Sequence, residues 1–255
     1  MERKDPLERV QALLVELDLT TLARELAGLL RGAEDARPAF SEFLRQALEI
    51  EASARHARKI QRRVRWSRIG AVMLLKDFDF AARPQLSAAV VRELATCRFV
   101  EEKRNVILVG RPSTGKTSIA KILARAASER GMPVYYVTMV DMLASLHAAR
   151  AVGTYRKALR RVVSPQLLVI DDAGFAALDR DATNELFRVV CERYRQRSTV
   201  VATNLPFRRW GEFLSSPEQA VAIADRLIDQ ATILRFGGSS FRKPRDIYGA
   251  PLDGE

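Results

Sequence analysis

The chain has 255 residues, 47% of them hydrophobic, with 13 Gly and 10 Pro. This supplies enough apolar material for a packed core and excludes a disordered, collagen-like or low-complexity chain. Cys97 and Cys191 have no second Cys or His at metal-ligand spacing, which excludes a disulfide-stapled scaffold and a zinc module; both read as small buried hydrophobes. A formal net charge of +11 points to a polyanionic partner, nucleic acid first, because each phosphate neutralised by Lys or Arg releases condensed counterions. The opening MERKDPLERV lacks the apolar stretch of a signal peptide, and no apolar run approaches the roughly 18 residues of a membrane span, so a cytoplasmic location is expected. At about 150 residues per domain, the length predicts one full-sized domain with a smaller appendage.

In chain order, Leu7, Val10, Leu14 and Leu17, then Leu22, Leu26, Leu29 and Leu30, recur at helical spacings. They predict two short amphipathic helices, the second capped by Asp18 or Thr20. Pro38 opens a longer helix that runs without Gly or Pro as far as Ile69. Its second half, residues 52–70, carries Arg55, Arg58, Lys59, Arg62, Arg63, Arg65 and Arg68 and no acid. Arg55, Arg58, Arg62 and Arg65 fall on one stripe, with Lys59 and Arg63 beside it. Unopposed like charges one turn apart repel by about 0.3 kcal/mol per pair. Phosphate contact is therefore expected of this stripe, ahead of an acidic protein partner or a solvated face.

A domain boundary is placed near residue 70, separating an all-α N-terminal domain (1–70) that binds DNA or a partner from a larger domain (71–255). From residue 105 onward short apolar runs (NVILVG, VYYVT, LLVIDD, STVVATN and ATILRF) alternate with helical patterns. The alternation predicts an α/β fold: a parallel five-stranded sheet with helices on both faces, joined by right-handed crossovers.

The strand NVILVG runs directly into GRPSTGKT, and that into the helical stretch SIAKILARAA. This is the eight-residue P-loop spacing in the strand–loop–helix context it requires. The loop turns its backbone N–H groups onto an anion, and the new helix adds its positive N-terminal dipole. Gly110, Arg111, Pro112, Ser113, Thr114, Gly115, Lys116, Thr117 and Ser118 would form the cradle for ATP. Lys116 would lie over the β- and γ-phosphates, and the Thr117 hydroxyl would ligate Mg²⁺. Some fifty residues on, LLVIDD ends in Asp171, which would hold Mg²⁺ through water, and Asp172, which would act as general base. Asp is one methylene shorter than the Glu commonly found there, so slow hydrolysis is expected. Asn204, ending STVVATN, would orient the lytic water; a buried Asn that satisfies a loop is the alternative.

Taken together, these segments resemble the IstB family, ATP-binding helper proteins of insertion-sequence transposition related to the DnaC helicase loaders within the AAA+ ATPases. The resemblance is carried by LRQALEIEASARHARKIQRRVRWSRI, DFDF at residues 77–80, RFVEEKRNVILVGRPSTGKT, LLVIDDAGF, CERYRQRSTVVATNLPFRRWGEFL, AIADRLIDQATIL and GGSSFR. It implies an AAA+ ATPase domain over 71–255, with Lys116 and Thr117 in the phosphate loop, Asp171 and Asp172 at the acidic strand end and Asn204 as first sensor. It further implies Arg226, in ADRLI, as a finger reaching a neighbouring subunit's γ-phosphate, with a salt bridge to Asp225 or Asp229 as the alternative, and Arg242, in SSFR, as second sensor. A shared site would make hydrolysis depend on assembly.

A second basic cluster, Arg150, Arg156, Lys157, Arg160 and Arg161, lies where related DNA-handling proteins place DNA-facing elements. No element reads base edges, so nonspecific, phosphate-mediated binding of double-stranded DNA is expected. The function implied is an ATP-dependent regulator of transposition that forms a homo-oligomer on duplex DNA, recruits or stimulates a transposase, and disassembles on hydrolysis. A helicase loader, or a nucleotide-locked DNA-binding scaffold with negligible turnover, is the alternative. Arg193, Arg195 and Arg197 receive no role.

Overall fold

The computed structural model describes residues 5–237. The chain divides into two compact units between Arg62 and Arg63. The first holds α1 (Pro6–Glu16), α2 (Thr20–Ala36) and most of α3 (Phe40–Trp66). Asp5 caps α1 by accepting the Leu7 N–H, with Pro6 at the first helical position, where its missing donor costs nothing. On α2, Leu22, Ala23 and Leu26 form the buried stripe.

The cap expected for α2 is not the one that forms. Its N-cap residue is Leu19, which makes no side-chain bond, and Asp18 sits in the left-handed region at φ 57°. The cap comes instead from α3: the Glu51 carboxylate, 2% exposed, accepts the backbone N–H groups of Thr21 at 2.9 Å and Leu22 at 3.0 Å. A carboxylate at this end also meets the positive pole of the α2 dipole. Sequence spacing favours a local cap, but a distant acid that both amides can reach serves the same orphan donors.

The second unit carries α4 (Ala88–Leu94), α5 (Arg98–Glu101), β1 (Val106–Gly110), α6 (Lys116–Glu129), β2 (Val134–Thr138), α7 (Met139–Ala151) and α8 (Tyr155–Val163). It continues with β3 (Leu167–Ala173), α9 (Arg180–Arg193), β4 (Ser198–Thr203), α10 (Pro217–Ile228) and β5 (Thr232–Phe236). The five strands form one parallel sheet in the order β2-β3-β4-β1-β5. Alternate strand residues feed two cores. Val106, Leu108, Val169 and Val200 pack with Ile119, Leu123 and Ala127 of α6 on one face. Ile107, Leu168, Ile170 and Val201 pack with Leu146 of α7, Leu186 and Val189 of α9, Ile223 of α10 and the buried Trp210 on the other. Burial on both faces explains why β1, β3 and β4 read as continuous apolar runs. Among the described residues no helix is long and apolar enough to cross a membrane.

The strand order positions the site. Because β4 lies between β1 and β3, the loops leaving the C-terminal ends of all three converge on one crevice, where open α/β sheets bind ligands.

Candidate active site

The P-loop begins where β1 runs out. A Cβ on Gly110 would lie 2.2 Å from the backbone oxygen of Phe236, its register partner on β5, so only glycine fits there. The loop then turns through two left-handed residues, Ser113 at φ 59° and Gly115 at φ 100°, the latter forming the N-cap of α6. The Thr114 hydroxyl donates to the Arg111 carbonyl at 2.8 Å, and the Thr114 carbonyl accepts the Arg83 Nε–H at 3.0 Å. The Lys116 ammonium donates to the carbonyls of Gly110 at 2.8 Å and Arg111 at 2.7 Å, two of its three donor positions. Burial pulls its pKa below the ordinary lysine value, with Asp171 and Asp172 opposing that shift.

A bulge in β3 presents the two acids differently. Ile170 pairs with Val201 and Ala173 with Thr203, so Asp171 and Asp172 together face the single residue Ala202. Asp172 takes up the extra length at φ 54° and is exposed, lining the cavity. Asp171 is 3% exposed. Its Oδ1 accepts the Thr117 hydroxyl at 3.3 Å and the Asp172 N–H at 3.0 Å, and its Oδ2 accepts a short hydrogen bond from the Tyr136 hydroxyl of β2. Burial first, and the Asp171 carboxylate second, push the Tyr136 phenol far above its ordinary pKa.

Asn204, directly after β4, lines the same cavity of about 490 Å³ with Pro112, Ser113, Gly115, Lys116, Thr117 and Ser118. Its Oδ1 is buried and has no hydrogen-bond partner among the described residues, a group whose desolvation is offset only by a donor brought by ligand or water. The Thr117 hydroxyl and Asp171 carboxylate are hard oxygen donors of the kind Mg²⁺ prefers. Among the described residues no three His, Cys, Asp or Glu side chains converge as a metal cage. The Thr117 and Asp171 oxygens are a donor pair that fits Mg²⁺.

The remaining expected residues lie elsewhere. Arg226, on α10, is not among the residues lining that cavity. Its Nη1 donates to the Ala222 carbonyl at 2.8 Å, and its guanidinium lies 5.4 Å from the Phe187 ring centre. Among the described residues Arg226 makes no ion pair with Asp225 or Asp229, and the Asp229 carboxylate takes Arg195 at 2.9 Å and the Tyr194 hydroxyl at 2.8 Å. Arg242 lies outside the described residues.

On α3, Arg55 and Arg58 are not unopposed. Both pair with Glu51, at 3.2 and 2.7 Å, and Arg58 also donates to the Thr21 hydroxyl. The acid sits one turn ahead of Arg55, just before the all-basic stretch begins. Lys59, Arg62 and Arg65 are exposed, and Arg63 is half-buried. A Cβ on Gly131 would lie 2.4 Å from the Arg63 Nη1. On α8, Arg156, Lys157 and Arg160 are exposed, while Arg150 of α7 pairs with the buried Glu185.

Sequence reasoning passed over Glu51, Arg83 and Tyr136. Tyr136 carried a signal: a phenol inside a fully buried parallel strand must find an acceptor for its hydroxyl. Arg83 carried none, since its partner stands 31 residues away in the chain, whereas Glu51 stands at helical spacing from Arg55 and only its backbone partners on α2 are distant.

The family model for IstB-like ATP binding proteins matches residues 12–247. The ATP-binding protein assigned to insertion sequence IS5376 of Geobacillus stearothermophilus is 32% identical, covering 92% of this chain and 94% of its own. The one assigned to IS21 of Pseudomonas aeruginosa is 32% identical, covering 92% and 89%. Among solved structures, DnaI matches with a TM-score of 0.55 over 68% of this chain and 92% of its own, at 18% identity. AMPPCP-bound DnaA from Aquifex aeolicus matches at 0.54 over 64% and 49%, also at 18% identity. These two are likenesses of fold alone. With the family model spanning nearly all of its length, this chain belongs to the IstB-like ATP binding protein family.

Proposed function

We propose that this protein is a transposition regulator: it binds ATP with Mg²⁺ across GRPSTGKT, assembles with its own copies on duplex DNA, and presents that assembly to a transposase. Hydrolysis of ATP then releases it. The observation that carries the nucleotide part is the bulge in β3, which sets the Asp171 carboxylate 3.3 Å from the Thr117 hydroxyl while turning Asp172 into the cavity beside Lys116 and Asn204.

In this reading the loop amides and the α6 N-terminus bind the β- and γ-phosphates, and Lys116 donates to them. Thr117, and Asp171 through water, would hold Mg²⁺, which would supply charge neutralisation on the phosphates. Asn204 orients a water, and Asp172 accepts its proton as the oxygen attacks the γ-phosphorus and the bond to the bridging oxygen of ADP breaks. Arg226 stabilises that charge in a neighbouring copy's site; its place on α10, outside its own copy's cavity lining, fits delivery in trans. Arg242 would act as the second sensor.

DNA phosphates would be met by the exposed Lys59, Arg62 and Arg65 of α3 and by Arg156, Lys157 and Arg160 of α8. Arg55, Arg58 and Arg63 would contribute with whatever surface their internal contacts leave. The transposase follows from the relatives, which are ATP-binding proteins of insertion sequences. Residues 1–70 would carry the partner-facing role.

The test compares ATP turnover of wild type and Asp172→Asn, each with and without duplex DNA. Loss of the general base is expected to cut turnover by about 10²-fold with nucleotide binding retained. Equal turnover by the two proteins would discard the hydrolytic reading and leave the scaffold.

A further inference from the structure

We propose that Tyr136 is a positioning residue that sets the affinity of the site for Mg²⁺ by locking the Asp171 carboxylate. This rests on the reading above, in which Asp171 and Thr117 hold the metal.

The placement follows from strand register. Tyr136 on β2 pairs with Val169 on β3, two residues before Asp171. Residues two apart on a strand point to the same face, so Val169, Asp171 and Tyr136 share one side of the sheet. With strands about 4.8 Å apart and a rise of about 3.3 Å per residue, the diagonal from Tyr136 to Asp171 is about 8 Å, within reach of a long aromatic side chain. The phenol spans it, and its hydroxyl donates to Oδ2. The ring is buried in the core under α6, with the Lys121 ammonium 5.7 Å from its centre. Lys121 stands one helical turn beyond Thr117, so the same helix that carries the metal-ligating hydroxyl also steadies the phenol.

The bond divides the labour of the carboxylate. Oδ2 is committed to Tyr136, whereas Oδ1 faces the Thr117 hydroxyl at 3.3 Å and the Asp172 N–H at 3.0 Å. With one oxygen pinned on each side, rotation about the Cβ–Cγ bond is arrested, and Oδ1 keeps its remaining lone pair on the Thr117 side. Phenylalanine would fill the same volume but supply no donor. Oδ2 would then be buried without a partner, and the carboxylate would turn to find one, at the expense of the metal-facing geometry. Partners that orient a metal ligand in this way are worth about 10–100-fold in metal affinity.

The experiment titrates Mg²⁺ against the affinity for a fluorescent ATP analogue in wild type, Tyr136→Phe and Asp171→Asn, with an EDTA arm for each protein. Tyr136→Phe is expected to raise the Mg²⁺ concentration for half-maximal tightening about tenfold, with wild-type affinity in EDTA. An unchanged half-point in Tyr136→Phe, beside a raised one in Asp171→Asn, overturns the role given to Tyr136 and leaves the ATP reading standing. Equal loss of affinity with and without Mg²⁺ also overturns it, since Tyr136 would then merely hold the fold. A wild-type protein whose affinity ignores Mg²⁺ takes down both readings.

Discussion

Arg193 is 2% exposed, and its partners are main-chain carbonyls and one hydroxyl. Its Nη1 donates to Val162, Val163 and Pro165 at 3.2, 3.0 and 2.9 Å, its Nε to the Thr199 hydroxyl at 3.1 Å, and its Nη2 to Ser198. Burial pushes this guanidinium down to about 9, which still leaves it protonated at neutral pH. One planar fork thus ties the end of α8 to the start of β4, which a lysine's point charge cannot imitate. Arg193→Leu would leave those acceptors buried without donors, at a cost of about 3 kcal/mol. Calorimetry should show the thermal midpoint falling by roughly 8 °C, and an unmoved midpoint would contradict the stapling role. In the sequence Arg193 is one of three arginines in a charged run. What separates it is helical phase, since Leu186, Val189, Val190 and Arg193 share the inner face of α9.

At the scale of elements, α2 owes its start to a residue on α3. Burial raises the pKa of the Glu51 carboxyl, but the amides of Leu22 and Thr21 and the guanidiniums of Arg58 and Arg55 outweigh that and hold it below the ordinary carboxylate value. A depressed folded pKa stabilises above the unfolded value of about 4.3 and is lost as pH falls through the lower folded value. Glu51→Ala is expected to speed hydrogen exchange at the Thr21 and Leu22 amides roughly fivefold at neutral pH, the worth of one N-cap. It should also remove the loss of protection expected of wild type as acid titrates Glu51; equal exchange in both proteins would count against the cap. On α8, replacing Arg156, Lys157 and Arg160 by Ala should flatten the slope of log affinity for duplex DNA against log salt by about 0.9 per lost phosphate contact. An unchanged slope would remove α8 from the DNA surface.

For the whole molecule, a site completed between copies predicts complementation. Asp172→Asn lacks its own general base but keeps the nucleotide that assembly needs, and Arg226→Ala lacks the finger, so each alone should turn over little ATP. Mixed in equal amounts, they should recover roughly a quarter of wild-type turnover, because random assembly restores that share of interfaces. No recovery on mixing would place Arg226 in its own copy's chemistry.

The P-loop, the strand succession and the acidic strand end were legible in the sequence because each rests on local spacing: a glycine where the chain must turn, an apolar run where both faces are covered, a helix following directly on a loop. Those constraints act within about ten residues, so the sequence by itself determined the five parallel strands, the ATP-type loop and the basic helices. Only the tertiary structure decided which charges face inward. Glu51 meets α2 about thirty residues upstream, Arg193 closes a strand end, and Tyr136 reaches Asp171 because β2 lies beside β3. Buried polar groups take whatever partner geometry brings within about 3 Å, and that partner is chosen by packing rather than by distance along the chain.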